Sequence, residues 1–600
     1  MTDLTFRAHT PASLDRISPW FLVFAAWGAA LLFGGLPPTL GVAFRDTDDA
    51  MRLVQVRDLM AGQGWFDLVQ HRLDPANPVP MHWSRLIDAP LALLIRAFGL
   101  VADGAAAERL AMATWPALVL LAALLAVRAL ALRLGGPRAA LPALMMLGLG
   151  LSMLWQFAPG RIDHHNVQAV LTLWMFATLL QDGPGHAARC GFLTALMLAV
   201  GLETLPYALA GALVMTGRCF EGDARRAEAR AYGLVLAVAV TALTVTTVPP
   251  ALWTAGACDS LSLTYAATAA IGGLGLAALA SPRLPQRARL ACLCGLAGGI
   301  LALFAAIEPA CLKGPFGQVD RRLWPVWLDY VDELKPWTTI FAEDPGSAVI
   351  MALGPALGLA SAADLLRDPR RRRDWAVLAY LASALLAFVA GCLQIRTMFY
   401  ANIFALPLIA AAIGRRAEAT AFAGGSALLV ALAGGLMLSS TTWAVLASAV
   451  LPDGSAPADH PPGAAAATAA SRPRAGVDDS ACQDLRQYDV LARQAPGLVV
   501  SPLSLGPFVL AGTPHSVLSA PYHRQSRGIV DGDAILSAPP ALALDRLRAR
   551  GAAYLLLCSR SPQAQDHDGL KARLIRGEAV AGLEPIPTGG ALQLYRVAPR

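Results

Sequence analysis

Residues 366–393 read LRDPRRRRDWAVLAYLASALLAFVAGCL. Five arginines (Arg367, Arg370, Arg371, Arg372 and Arg373) precede an uncharged run at 375–393. About 20 apolar residues span the hydrocarbon core of a bilayer, and arginines beside such a run stay on the cytoplasmic side. This stretch therefore sets both a membrane crossing and its direction. Working outward, similar runs fall at 18–38, 107–127, 139–158, 165–181, 231–250, 262–280, 290–307, 346–365, 398–414 and 420–442. A further apolar stretch, 190–217, is broken by Gly201-Leu202-Glu203-Thr204-Leu205-Pro206. Arg128/Arg133/Arg138, Arg218/Arg225/Arg226/Arg230, Arg283/Arg287/Arg289 and Arg415/Arg416 mark further inner loops. An even number of crossings must separate them. That holds if 190–217 is a pair of short helices with Glu203 near the outer side. The expectation is thirteen crossings, with the N-terminus inside and the C-terminus outside.

Composition agrees. Of 600 residues, 56% are hydrophobic and only 15% charged, where a soluble domain carries about 25% charged residues. The mean hydropathy is +0.51. A cytosolic enzyme, a disordered scaffold and a small secreted disulfide domain are all excluded. The net charge of +6 comes from 48 basic against 42 acidic residues, and only Lys313, Lys335 and Lys571 are lysines. Nine cysteines form no CxxC pair, which argues against a zinc or redox motif. There is no internal repeat, P-loop or dinucleotide fingerprint, and no nucleic-acid partner is expected. The expected organisation is a membrane domain at 1–450 with outer loops 39–106 and 308–345, a Pro/Ala/Gly-rich linker at 451–477, and an outer α/β domain at 478–600. In the last, Gly497–Ser501, Pro507–Ala511, Ala553–Cys558 and Leu592–Val597 read as strands, and Ala541–Arg550 and Gly569–Arg576 as helices. Cys482 and Cys558, both outside, are able to pair in an oxidising compartment.

Charged groups at a membrane face are costly unless paired, solvated or metal-bound, and four clusters collect on the outer face. Arg45-Asp46-Thr47-Asp48-Asp49 follows the first crossing. It reads either as a solvated helix start or as a crowd of carboxylates that a cation relieves. Gly160-Arg161-Ile162-Asp163-His164-His165-Asn166 forms one turn before the fourth crossing, and an N-cap explains only Asp163. Carboxylate with imidazole suits a divalent cation, and an oxygen-rich set suits Mg²⁺ or Mn²⁺. Val331-Asp332-Glu333-Leu334-Lys335-Pro336 lies in the long loop before the tenth crossing. Arg396, followed by Tyr400, sits at an outer helix end, where it either snorkels or binds phosphate. His82 with Trp83 and Arg85, His515, and the Tyr522-His523-Arg524 run are polar enough to touch a sugar or acceptor. Together these suit chemistry on a lipid-linked phosphate or diphosphate: a metal on the phosphates, an arginine on the leaving group and a carboxylate activating the acceptor.

In the order of these motifs the chain resembles the GT-C glycosyltransferases, most closely the catalytic subunit of oligosaccharyltransferases. Asp48, followed nine residues later by Arg57-Asp58, resembles that family's first-loop catalytic aspartate. Ile162-Asp163-His164-His165 resembles its second acidic motif, Glu333-x-x-Pro336 its loop glutamate, and Arg396 with Tyr400 its donor-pyrophosphate arginine. The resemblance implies Asp48, Asp163 and Glu333 as catalytic residues. It implies Asp48, Asp163, His165 and Glu333 as ligands of Mg²⁺ or Mn²⁺. Asp49, Arg161, Arg396, Tyr400, His82, His515 and His523 are the expected substrate contacts. The implied partners are a polyprenyl-linked sugar donor, membrane lipid, and a glycan, lipid or protein acceptor. One departure concerns the acceptor. Where the family carries Trp-Trp-Asp-Tyr-Gly for sequon recognition, this chain has Val499-Val500-Ser501-Pro502-Leu503-Ser504-Leu505-Gly506. The rival readings are a transporter or lipid flippase, whose charges belong at the midplane of repeated halves, and an assembly protein with a degenerate site. The arginine bias suggests a bacterial inner membrane, with the C-terminal domain in the periplasm.

Overall fold

The computed structural model describes residues 19–33, 44, 46–149, 154–419, 482–559 and 568–599. The expected crossing at 420–442 and the linker lie outside the described residues, as do parts of the expected crossings at 18–38 and 139–158. Among the described residues, Gly104–Gly135, Asp223–Thr247, Gln286–Ile307, Pro345–Leu365, Trp375–Leu393 and Ile395–Arg416 are long and apolar enough to cross a membrane. Shorter apolar helices, Pro19–Phe33, Ala140–Leu149, His165–Leu179, Pro184–Val200, Leu205–Arg218 and Leu263–Leu279, stand at the other expected crossings. Gly201 breaks the 190–217 stretch, a short turn at Leu202–Thr204 follows, and Pro206 opens the next helix at its first turn, where a missing N–H costs nothing. Glu203 thus sits on a turn between two helices.

One end of the bundle gathers the arginines. Arg371 donates to the Arg133 carbonyl (2.8 Å), Arg133 to Gln181 (2.7 Å), and buried Arg218 to the Leu179 carbonyl (2.9 Å). Arg218 also pairs with Glu228 at 3.0 Å. His165–Leu179 runs from this end to the acidic turn at 161–165. Its 15 residues separate the two by about 22 Å at 1.5 Å per residue.

Small residues let the bundle close. Without a hydrophobic drive between helices in lipid, backbones must approach to gain dispersion contact. A Cβ on Gly233 falls 2.3 Å from the Gly273 carbonyl oxygen, and one on Gly273 falls 2.5 Å from that of Gly233. A Cβ on Gly298 meets nothing within 4 Å. Gly233→Ala is therefore expected to lose about 1–3 kcal/mol by overpacking, read as a lower melting temperature in detergent. Gly298→Ala is expected to melt like wild type. Equal melting of the two variants would contradict the close packing.

The first outer loop is not irregular. It holds the helices Thr47–Met60 and Arg85–Phe98. The C-terminal region is a five-stranded mixed sheet: β1 (Leu498–Val500), β2 (Ser516–Val517), β3 (Ala552–Cys558), β4 (Leu583–Ile586) and β5 (Leu592–Val597), in the order β2-β1-β3-β5-β4. β1 is parallel to β2 and β3, while β5 is antiparallel to β3 and β4. Pro507–Ala511, expected as a strand, lies instead in the helix Gly506–Gly512. Its run is buried on all sides, which removes the alternation that marks a strand, and Pro507 sits where a helix begins. Two disulfides are present. Cys482–Cys558 joins the start of this domain to β3, and Cys258–Cys311, not anticipated, joins the loop before Leu263–Leu279 to the segment after Gln286–Ile307.

The sheet domain docks on the first outer loop. Asp74 donates its N–H to the Val517 carbonyl (2.8 Å), and Val517 donates to Arg72 (2.9 Å). Arg72 caps the carbonyls of Leu510 and Thr513, Arg57 that of Ala511, and Tyr522 donates to the Thr47 carbonyl at 3.2 Å. One apolar cluster runs through both, from Met51 and Ile87 to Val517 and Leu594.

Candidate active site

Asp46–Asp49 and the 161–165 turn are one unit, held by a buried guanidinium. Arg161 is 2% exposed. It pairs with Asp46 (3.2 Å), Asp49 (3.0 Å) and Asp163, and donates to Gln156 (3.0 Å). Asp49, also fully buried, accepts the backbone N–H of Ile162 (2.8 Å) and of Asp163 (3.1 Å). Asp163 in turn accepts the His165 N–H at 3.1 Å. The reading of 45–49 as a solvated helix start therefore fails for Asp49. Asp49 and Arg161, expected as substrate contacts, are committed to each other and to neighbouring backbone, because a buried charge has to find its partners inside.

A second ionic group stands beside the first. Arg396, in the turn Ile395–Thr397, pairs with Glu203 and lies 3.1 Å from His165 Nε2. The opposite ring nitrogen, Nδ1, faces Glu203 at 3.1 Å. Against burial and the Arg396 charge, Glu203 and Asp163 push the His165 imidazole up to about 9. Glu203 carries the ionic side of this arrangement. The sequence pointed to it only as a costly charge at a helix break. Glu333 reaches the same place because the Ile395 N–H donates to the Lys335 carbonyl (3.1 Å), tying the loop to the Arg396 turn. Both Glu333 and Asp48 lie within the field of Arg396.

Asp48 and Glu333 differ from their neighbours. Among the described residues neither side chain takes part in a hydrogen bond or ion pair. Burial, with the charges of Asp46 and Asp163, pushes the Asp48 carboxyl up to about 7, against the pull of His165 and Arg396. Six carboxylates (Asp46, Asp48, Asp49, Asp163, Glu203 and Glu333) thus meet two guanidiniums (Arg161 and Arg396). Such an excess is relieved by protons, by water at the exposed Glu203 and Glu333, or by a cation. The oxygen-rich donor set fits Mg²⁺ or Mn²⁺ in charge and chemistry. The set Asp48, Asp163, His165 and Glu333 is not, however, drawn together within 4.8 Å. Among the described residues, His82, Asp259 and His523 alone form such a group.

Other expected contacts lie elsewhere. His515 is fully buried inside the sheet domain, its Nε2 on the Leu491 carbonyl (2.8 Å) and its Nδ1 at the Gly497 backbone. It is a core histidine, remote from the acidic turn. Tyr400 is buried, donating to Gln168 (3.1 Å) and packing on Tyr207, so its hydroxyl holds a helix interface together. His82 and His523 line a separate cavity of about 330 Å³. A run of tilted ring contacts connects that cavity to the acidic turn, from His82 to Trp83 (5.8 Å), Trp83 to His164 (6.0 Å) and His164 to His165 (4.4 Å). Arg52, unremarked in the sequence, lies 4.4 Å over Trp83 and pairs with Asp88 at 2.7 Å. Asp88 also binds Arg85 (3.0 Å). The two arginines fix the Trp83 wall, and their spacing on two different helices gave no local signal.

No protein-family model and no curated protein matches the chain. Solved structures do. The oligosaccharyltransferase of Archaeoglobus fulgidus in the apo form superposes with a TM-score of 0.66 at 15% identity, over 91% of this chain and 70% of that one. In complex with an inhibitory peptide and a dolichol-phosphate it gives 0.65 at 14% identity, over 96% and 80%. In complex with Zn and sulfate it gives 0.59 at 15%, over 96% and 73%. The chain therefore shares the fold of the archaeal oligosaccharyltransferase.

Proposed function

We propose that this chain is a membrane glycosyltransferase that moves a sugar or oligosaccharide from a polyprenyl-phosphate or -diphosphate donor to an extracytoplasmic acceptor. The observation that carries the reading is Arg396, held by Glu203, beside His165 and facing the two unpartnered carboxylates Asp48 and Glu333. A fixed guanidinium suits the phosphate of a leaving lipid. A carboxylate free of partners is available to the acceptor or to a cation. Asp48, Asp163 and Glu333 would hold Mg²⁺ or Mn²⁺, whose charge would neutralise donor phosphate, while His165 is engaged by Glu203 and Arg396. Asp48 orients or deprotonates the acceptor. Arg161 and Asp49 are positioning residues that keep Asp163 and the 47–60 helix in place. The dolichol-phosphate complex of the archaeal structural neighbour supports a lipid-linked donor.

The topology belongs to the same proposal: thirteen crossings, a cytoplasmic N-terminus and a periplasmic C-terminal domain in a bacterial inner membrane. Both disulfides lie on the acidic side, while Cys190, Cys292, Cys294 and Cys392, all in apolar helices, stay free. That distribution supports an oxidising compartment on that side. Val499 and Val500 are fully buried in β1 and offer nothing to a sequon hydroxyl. This supports an acceptor other than a glycosylation sequon.

The test is a donor-turnover assay on the full chain in membranes with a labelled polyprenyl-diphosphate glycan. EDTA is expected to stop release of the lipid phosphate, and Mg²⁺ or Mn²⁺ to restore it. A deletion strain should lose one sugar from an envelope polymer, lipid or protein. Intact envelope glycans in that strain, with no turnover of the donor, would end the proposal.

A further inference from the structure

His82, Asp259 and His523 come from three segments that are distant in the chain. His82 lies in the first outer loop, Asp259 in the loop before Leu263–Leu279, and His523 in the sheet domain. One ligand atom from each lies within 4.8 Å of the others. His523 Nε2 is 2.7 Å from Asp259 Oδ2, and the His82 and His523 rings are 4.8 Å apart between centroids. His82 Nδ1 is buried and has no hydrogen-bond partner. Arg524 holds both oxygens of Asp259, Nε to Oδ2 at 2.7 Å and Nη2 to Oδ1 at 2.6 Å, and its Nη2 reaches Ser260 at 2.9 Å.

We propose that His82, Asp259 and His523 form a second metal site, distinct from the acidic turn, that takes a Zn²⁺-class transition ion. Two imidazoles and one carboxylate are a donor set for zinc rather than for Mg²⁺ or Ca²⁺, which want oxygen. Zinc ligands stand about 2.0–2.2 Å from the metal, so tetrahedral ligand atoms lie roughly 3.3–3.6 Å apart. The His523–Asp259 contact, at 2.7 Å, would open to that range on binding, and the other pairs lie within 4.8 Å. Arg524 is the outer partner that a ligating carboxylate needs to fix its orientation.

The position explains what the ion would do. Asp259 follows Cys258, whose disulfide to Cys311 and N–H bond to Gln318 (3.0 Å) stiffen the loop. A metal there clamps this stiffened loop and the first outer loop to the Tyr522-His523-Arg524 turn. All three ligands also line the cavity of about 330 Å³, with Pro80, Gln318 and Arg524. The fourth coordination position opens onto that cavity. Through Trp83, whose ring lies 5.3 Å from Tyr522, the clamp braces the wall next to His164. The site stands independently of the transfer reaction.

The experiment uses the full chain, purified without a histidine tag, stripped with EDTA and titrated with Co²⁺ as a zinc probe, then with Zn²⁺ in competition. Wild type is expected to give the intense visible bands of tetrahedral Co²⁺ and to bind one competing Zn²⁺. Asp163→Asn, which alters the acidic turn, is expected to keep those bands. His82→Gln and His523→Gln are each expected to lose them, with an affinity at least about 100-fold weaker. Wild type without tetrahedral bands overturns the proposal. So do bands that survive in both histidine variants, or bands lost in Asp163→Asn while the histidine variants retain them. Zn²⁺ should also raise the melting temperature of wild type but not of His523→Gln, which reads the same site without a spectrum.

Discussion

Asp48→Asn is expected to abolish glycan transfer while the protein melts as wild type does. The two halves of this result have separate causes. Asp48 stands in the first turn of Thr47–Met60 and, among the described residues, its side chain takes part in no hydrogen bond or ion pair. Its removal therefore orphans no partner, and the destabilisation that follows the loss of a buried ion-pair member does not arise. Repulsion from Asp46 and Asp163 is relieved at the same time. An amide of the same shape keeps the packing but neither accepts a proton nor contributes charge to a cation. Loss of a general base alone costs about 10²–10⁴-fold in rate, and weaker metal binding adds to that. The measurement pairs turnover of a labelled polyprenyl-diphosphate glycan with a thermal melt. Transfer within tenfold of wild type would remove Asp48 from the reaction, and a melting temperature far below wild type would show that it has a hidden partner.

How much of this was legible in the sequence depends on whether a residue's reason for being where it is lies close to it in the chain. The arginines of 366–374 and the apolar run after them report their environment locally, and so does the break at Gly201–Pro206. The grouping of Asp46–Asp49 with 161–165 was readable as a set of costly charges on one face. The division of labour inside that group was not. Asp48 and Asp49 are adjacent and chemically identical. Only the position of the Ile162 and Asp163 N–H groups, 113 and 114 residues from Asp49, makes one a structural anchor and leaves the other open. His515 and His523 looked alike as polar residues in one domain. The first turned out to satisfy two backbone groups in the core, the second to meet Asp259 from 264 residues away. Cys258–Cys311 had a usable signal that spacing alone hides. With Cys482 and Cys558, these are the cysteines that fall in the segments expected to lie outside, so a sorting of cysteines by side would have left Cys258 and Cys311 to pair with each other once Cys482 and Cys558 were matched. The Gly506–Gly512 helix failed for the opposite reason: complete burial erased the local periodicity that distinguishes helix from strand.

Arg161→Met is expected to act on the fold as strongly as Asp48→Asn acts on the reaction. The guanidinium is 2% exposed and pairs with Asp46, Asp49 and Asp163. Methionine fills most of the volume but leaves three carboxylates facing one another. Removing one partner of a buried pair costs about 3–5 kcal/mol, and here a single partner serves three. The variant should melt well below wild type and lose transfer as a consequence. Its instability should also depend on pH in a defined direction. Without the arginine, burial and mutual repulsion raise the folded-state pKa of these carboxyls above their unfolded values. The protonated forms then fit the fold better than the charged ones, so stability is greatest at low pH and falls as pH rises through the raised pKa. Arg161→Lys should recover part of the loss, since one ammonium supplies the charge but not the planar fork that reaches Asp46, Asp49, Asp163 and Gln156 together. A melting temperature for Arg161→Met equal to wild type at neutral pH would mean that the three carboxylates are solvated or protonated without it. The acidic turn would then be held by the Asp49 contacts to the Ile162 and Asp163 N–H groups alone.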